Sequence, residues 1–284
     1  MNQNNWMGLV ADERNVRLYG FLVVFFLMAF WEQKASRRKE KVPRVLRWPN
    51  NLGLGLLNHF LVRALFPGAV LWAANLAAQY RFGFFQWVEV PLAFSVVWTV
   101  LLLDAVVYYQ HRAFHAIPLL WKLHRMHHTD LEVDVTTGAR FHTLEIFASI
   151  VIKASAVALL GAPVIGVFLF ELILGATTLF NHSNIRIADR LEKCLRWAWV
   201  TPDMHRVHHS AVPAETNSNF GFNLSLWDRL FGTYRRDPQQ GQEKMKIGLE
   251  FLRDSKYLAL GELLKIPFLD KEGRFAWGNL TKEK

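Results

Sequence analysis

The stretch HRAFHAIPLLWKLHRMHH, residues 111–128, decides how the chain is read. It holds two histidine boxes, one at His111 and His115 and one at His124, His127 and His128. A third box, His205, His208 and His209, follows in TPDMHRVHH, so the three boxes take eight of the 11 histidines. On a helix, residues three and four apart share one face. Each box is therefore expected to aim two or three imidazoles at one point. Neutral imidazole binds zinc, copper, iron and nickel. A catalytic ion takes about three or four protein ligands, so eight histidines are too many for one ion and suit two. A pH-sensing cluster would not need this repeated spacing. His59 stands outside the boxes and is not read as a ligand.

Apolar runs lie on either side of the boxes. Before the first box, Val90 to Tyr109 is almost uncharged, with Asp104 inside it. An acid within such a helix is costly and commonly functional. Asp104 is two helical turns before His111, so it is expected to accept the second N–H of that histidine from the outer shell. Between the second and third boxes, Ile146 to Leu160 and Val164 to Asn181 are split by Gly161-Ala162-Pro163, a turn signal. They read as a hairpin, either entering the membrane and returning or crossing it twice. Lys153 and Glu171 are expected to face inward or to snorkel.

Two further runs precede these. Leu18 to Trp31 is a retained helix rather than a signal peptide, because Asp12 and Glu13 precede it and a basic stretch, Lys34 to Arg47, follows it. That asymmetry places its C-terminal end in the cytoplasm. Met1 to Arg17 reads as interfacial or loose. Leu52 to Ala78 is interrupted by His59 and Arg63, with a break expected at Pro67-Gly68. With the first run ending in the cytoplasm, the second exiting, the third returning and the fourth and fifth forming a hairpin, all three boxes fall on the cytosolic side. Pro202 marks a helix start just before the third box. Arg186 to Val200 reads as an interfacial amphipathic helix, and Ile247 to Leu264 as one amphipathic segment in a polar tail.

Composition agrees with a membrane protein. Over 284 residues, 52% are hydrophobic and 14% aromatic, yet 20% are charged, so the apolar residues are clustered. The net charge of +9 falls mainly beside apolar runs, which favours a membrane surface over nucleic acid. The arginines within the boxes, Arg112, Arg125 and Arg206, read as interface or head-group residues. The single cysteine, Cys194, excludes an internal disulfide framework and a cysteine-rich zinc site. The fold class expected is all-α: a multi-pass helical membrane protein with a cytosolic histidine-rich cap holding a dinuclear metal site. Three parts are expected, 1–88 with the first membrane helices and basic loop, 89–236 as the catalytic domain, and 237–284 as the tail.

The boxes, together with DAVVYYQHRAFH, RFHTLE, NHSNIR and NFGFNLSLWDRLFGTY, resemble the signature of the fatty acid hydroxylase and sterol desaturase superfamily. The resemblance runs from about Leu92 to Arg236. It implies a non-haem di-iron centre, O₂ as co-substrate, an external electron donor and hydroxylation or desaturation of a C–H bond in a membrane lipid such as a sterol or fatty acyl chain. It implies as ligands His111, His115, His124, His127, His128, His205, His208 and His209, with His182 of the NHS motif as a ninth and His142 as a tenth or an outer-shell residue. Asp104, Glu145 and Asp228 are candidates to orient the imidazoles, and no catalytic residue is expected beyond the metal centre. Two positions depart from the pattern: Thr178 stands where some relatives have histidine, and Thr143 where RFHPLE has proline. The membrane would be the inner membrane of a bacterium or the endoplasmic reticulum of a eukaryote. A membrane metal transporter and a catalytically silent lipid-binding relative are the rival functions.

Overall fold

The structure, a computed structural model, describes residues 3–88 and 90–269, with side chains from Asn15 onward. The first residues of the expected loose segment and the end of the expected tail lie outside these. The described chain is helical, with three isolated β-bridges in place of a sheet. In order come α1 (Gln3–Lys34), α2 (Arg44–Leu65), α3 (Ala69–Gln79), α4 (Phe84–Trp87), α5 (Leu92–Ala116), α6 (Pro118–His128), a 3₁₀ turn (Val135–Ala139), α7 (Thr143–Leu160), α8 (Val164–His182), α9 (Asp189–Leu195) and α10 (Pro202–His208). Residues 3–17, expected to be interfacial or loose, instead continue the helix of the apolar run.

The corner between α5 and α6 is written in the sequence. Ile117 precedes proline, which disfavours helical backbone, and it sits at φ −94°, ψ 118°. Pro118 then opens α6 at the first turn, where its missing N–H costs nothing. The chain turns between the first two boxes, so that they face one another. At the other end of the bundle, Gly161 ends α7 at φ 62°, and Pro163 precedes α8. Gly83 at φ 99° crosses it so closely that a Cβ there would lie 2.3 Å from the Gly161 nitrogen. Only glycine fits both requirements at Gly83.

Among the described residues, five segments are long and apolar enough to cross a bilayer: 15–34, 44–87, 92–116, 143–160 and 164–182. At about 1.5 Å per residue the helices α7 and α8 reach about 27–28 Å, close to a hydrocarbon core. The second segment breaks at Phe66–Gly68, as expected. α2 lies along the histidine-bearing end, where Asn58 donates to Phe141 O at 2.7 Å, and α3 then runs away from it beside α7. The central core joins α3, α5, α7 and α8 through Leu71, Ala74, Leu103, Val107, Val157 and Phe170. Outward faces carry Phe26, Phe30, Val97, Val151 and Leu159, exposed as lipid-facing residues would be. Lys153 and Glu171 face inward and pair at 2.6 Å, with Arg17 on the second carboxylate oxygen at 3.0 Å, the arrangement that makes buried intramembrane charge tolerable.

α5 and α8 end, and α7 begins, at the same end of the bundle, and α1 ends there too, with Arg37 N–H donating to Asn184 O. The basic stretch after α1 departs from the membrane-surface reading. Arg37 pairs with Asp203 at 3.1 Å, Arg38 donates to the carbonyls of Gln242 and Met245, and Arg47 is buried on Asp130 and Asp134. Their acidic partners lie 80 or more residues away in sequence, where spacing gives no sign of them. Arg125 and Arg206 likewise are buried rather than interfacial: Arg125 donates to Ile266 O and Leu269 O, Arg206 to Asp203 and Ser183 O. The segment 247–264 forms short turns rather than one amphipathic helix. Leu252, Tyr257 and Leu263 pack under Leu54 and Met126. α9 is only seven residues long, flanked by exposed Trp197.

Candidate metal centre

Nine histidines converge at the common end of the bundle in two groups. His111, His115, His124, His128 and His208 form one, and His127, His182, His205 and His209 the other. Within each group the candidate ligand atoms all lie within 4.8 Å of one another, and every member is buried. The groups adjoin: the rings of His128 and His209 are 4.6 Å apart, and those of His205 and His208 5.3 Å.

The boxes do not each serve one point, as first expected. In every box the pair four apart stays together: His111 with His115, His124 with His128, His205 with His209. The histidine three along, His127 or His208, goes to the other group. At 3.6 residues per turn a step of four swings a side chain by about +40° and a step of three by about −60°. The two adjacent histidines thus point about 100° apart, and each HxxHH box bridges both groups.

The outer nitrogens explain how the inner ones are aimed. Nδ1 of His111 donates to Phe220 O at 2.8 Å, of His127 to Arg140 O at 2.9 Å, of His182 to Thr178 O at 2.7 Å and of His208 to Ser218 O at 2.8 Å. Nδ1 of His124 meets Glu145 Oε1 at 2.6 Å, and that of His115 meets Asn217 Oδ1 at 3.3 Å. Carbonyls and carboxylates only accept, so these contacts fix the proton on Nδ1 and leave a bare lone pair on Nε2. Yet Nε2 of His111 lies 3.1 Å from Nε2 of His124, and Nε2 of His182 lies 3.1 Å from that of His127. Two proton-free acceptors at that distance repel. A shared cation removes the conflict: two metal–nitrogen bonds of about 2.1 Å at about 95° span about 3.1 Å. Nε2 of His115 and of His208, and both ring nitrogens of His209, are buried with no protein partner. This donor set fits metal ions.

The remaining expected residues divide. Glu145 holds a ligand-group histidine directly. Asp104 does not reach His111: it accepts from Asn223 N, Leu224 N at 3.1 Å and Trp227 Nε1 at 2.8 Å. Two helical turns put it about 10 Å along the axis, level with that loop. Asp228 acts one step further out, accepting from Phe220 N at 2.7 Å and Gly221 N at 2.9 Å, and so fixes the carbonyl that holds His111. Burial pushes its carboxyl up to about 6. His142 joins neither group. It caps α7, its Nδ1 accepting from Leu144 N, and its Nε2 is 3.3 Å from Leu264 O. His59 is exposed. Thr178 supplies its carbonyl to His182, a role that no side chain announces. Asn217 and the four backbone acceptors were not found from sequence; Asn217 lies in the NSNFGF turn, but turn residues of that kind are common.

Burial first, and then the neighbouring imidazoles, hold His127, His128, His205 and His209 well below the ordinary histidine value, and His208 down to about 3. Neutral imidazole is the ligating form. Because the unfolded chain binds these protons from about pH 6.5 downward and the folded chain does not, stability rises with pH across that window. The metal-free protein is expected to lose stability progressively as pH falls below about 6.5. Thermal unfolding in detergent at pH 7.5 and 5.0 checks it; equal midpoints would contradict the neutral cluster.

Comparison with known proteins follows the same residues. Residues 96–233 match the family model described as fatty acid hydroxylase. Over 188 residues the chain is 37% identical to an ornithine lipid hydroxylase of Rhizobium tropici, covering 64% of this chain and 54% of that protein. It is 28% identical over 235 residues to an alkylglycerol monooxygenase of Xenopus tropicalis, covering 80% of this chain and 48% of the other, and 25% identical over 219 residues to a fatty acid hydroxylase of a Lecanicillium species, covering 69% and 55%. The chain thus spans about half the length of these relatives. No solved structure matches it.

Proposed function

From the match of residues 96–233 to the fatty acid hydroxylase family we propose that the chain is a membrane oxidoreductase that uses O₂ to hydroxylate, or alternatively desaturate, a C–H bond of a lipid. The observation that supports this reading is the pair of adjoining, fully buried imidazole groups with their Nε2 lone pairs turned on one another. His111, His115, His124, His128 and His208 would hold one iron ion, and His127, His182, His205 and His209 the other. Bound iron supplies the activation of O₂ for attack on an unactivated carbon.

The chain's own residues do the rest. Carbonyls of Phe220, Arg140, Thr178 and Ser218 and the carboxylate of Glu145 set the tautomer and tilt of each ring. Phe220 and Trp121, both buried, pack on the rings of the five-histidine group and keep water from it. No side chain outside the two groups is needed as a nucleophile or base. Residues 89–236 form the catalytic unit, and an external donor supplies the electrons. The basic run after α1 supports a cytosolic position for the histidine-bearing end, in the inner membrane of a bacterium or the endoplasmic reticulum. The relatives named for ornithine lipid, alkylglycerol and fatty acid support a polar or ether lipid as the substrate class.

The test is iron content of the purified protein together with lipid analysis of cells with and without it. The expected result is two iron ions per chain and a lipid heavier by one oxygen, or lighter by two hydrogens, only where the protein is present. Bound metal with no altered lipid would overturn the enzymatic reading in favour of transport or a silent relative.

A further inference from the structure

On the side of α5, beside its histidines, an open groove of about 330 Å³ is lined by Tyr109, Arg112, Ala113, Ala116 and Phe220. The four α5 residues are spaced zero, three, four and seven, one face of the helix. The two alanines leave that face hollow. Phe220 forms the inner wall. Its ring centroid lies 5.1 Å from that of His115 and 5.5 Å from those of His111 and His208, all members of the five-histidine group. The groove is therefore one aromatic ring away from the metal centre. The main chain of Phe220 is held at both polar atoms, by Asp228 and by His111, so only its side chain is left to move.

The surroundings of the groove indicate what comes to it. Tyr109 and Ile117 are each 48% exposed and Leu119 71%, and Phe231, also exposed, packs on Tyr109 with centroids 5.1 Å apart. This apolar rim lies at the end of a bilayer-length helix, where acyl chains meet head groups. Arg112 is the one charged residue in the lining, its guanidinium 5.8 Å from the Tyr108 ring centre. The volume is at the low end of the ~300–1,000 Å³ of ligand pockets, so it accommodates a segment of a lipid while the remainder stays in the bilayer.

We propose that this groove is the lateral access route for the lipid substrate. The aliphatic chain lies across Ala113 and Ala116, the acceptor oxygens of the head group face Arg112, and the Phe220 side chain swings aside to admit the reacting segment. The assignment rests on the lipid-oxidising reading for its purpose, but binding is measurable without turnover. The probe is phosphatidylethanolamine with a diazirine on one acyl chain, irradiated with the full-length, metal-free protein in nanodiscs. Labelling is expected at residues 109–116 and at Phe220. Ala113→Trp, and independently Ala116→Leu, should reduce it at least fivefold while leaving labelling of the outer face of α1, around Phe26 and Phe30, unchanged. In the iron-loaded protein Ala113→Trp should raise the lipid KM at least tenfold with iron content retained. Labelling spread evenly over the exposed helix faces and indifferent to both substitutions would overturn the groove and leave the proposed chemistry standing. Groove labelling in a protein that never oxidises lipid would do the reverse.

Discussion

On the proposed di-iron reading, His208→Ala is expected to cost one iron ion and His205→Ala the other, and each substitution to reduce lipid oxidation by at least about 100-fold, since even loss of an outer-shell partner costs about 10–100-fold. The expectation comes from the division of the third box. His205 and His208 are three residues apart on one short helix but belong to different groups. Each variant leaves the other group's imidazoles intact, so that group keeps its ion, because no histidine belongs to both groups. Activity is expected to fall in both variants, because in the proposed chemistry activation of O₂ would need both ions. His142→Ala, by contrast, should keep both ions, since that side chain caps α7. Iron per chain, oxygen uptake with a lipid extract and circular dichroism check the set. If both box variants lost all their iron, the groups would be one site; if either kept full turnover, its histidine would not be a ligand.

Much of this arrangement was readable from spacing. Three boxes at helical intervals, apolar runs of bilayer length and a Gly-Ala-Pro turn all act locally, and local rules predicted α5, α7, α8 and the convergence of the boxes at one end. What was not readable depended on the angle between neighbours in space. The sorting of His127 away from His128 follows from helix geometry, but which point each ring reaches depends on the crossing of α6, α8 and α10. Asp104 was misassigned because sharing a face with His111 does not bring two side chains together when two turns separate them. The basic residues after α1 looked like a membrane surface because their acidic partners, Asp130, Asp134 and Asp203, lie far off in sequence. His182 carried no spacing signal and was found only through the NHS motif. Its acceptor is a backbone carbonyl, and no side-chain pattern encodes that.

The largest stability effect is expected far from the lipid face, at Arg47. Its side chain is fully buried, with Nε and a terminal nitrogen on the two oxygens of Asp130 at 2.6 and 2.9 Å and the other terminal nitrogen on Asp134 at 2.6 Å. Arg140 completes the network from the same interior, donating to Asn51 at 2.9 Å and Thr129 at 2.7 Å. Two arginines thus face two aspartates, and the charges balance. Burial alone pushes the Asp130 carboxyl up, but the charges of Arg47 and Arg140 more than offset that and hold it well below the usual carboxylate range. Arg47→Met leaves two buried carboxylates against one cation, and breaking a buried pair from one side costs about 3–5 kcal/mol. The damage should reach the metal centre, because the carbonyl of Arg140 fixes His127, so the four-histidine group is expected to lose its iron first. The pH dependence has a definite sign. With Arg47 gone, the Asp130 carboxyl rises, the folded variant takes up a proton as pH falls, and the buried charge is relieved. The stability gap between wild type and Arg47→Met should therefore narrow between pH 7.5 and 5. With both proteins metal-free, the histidine effect acts on both and cancels in that difference. Chemical unfolding of both proteins at the two pH values, with iron counted in each before its removal, measures it; a gap that stayed constant or widened on acidification would mean that Arg47 is not what keeps Asp130 ionised.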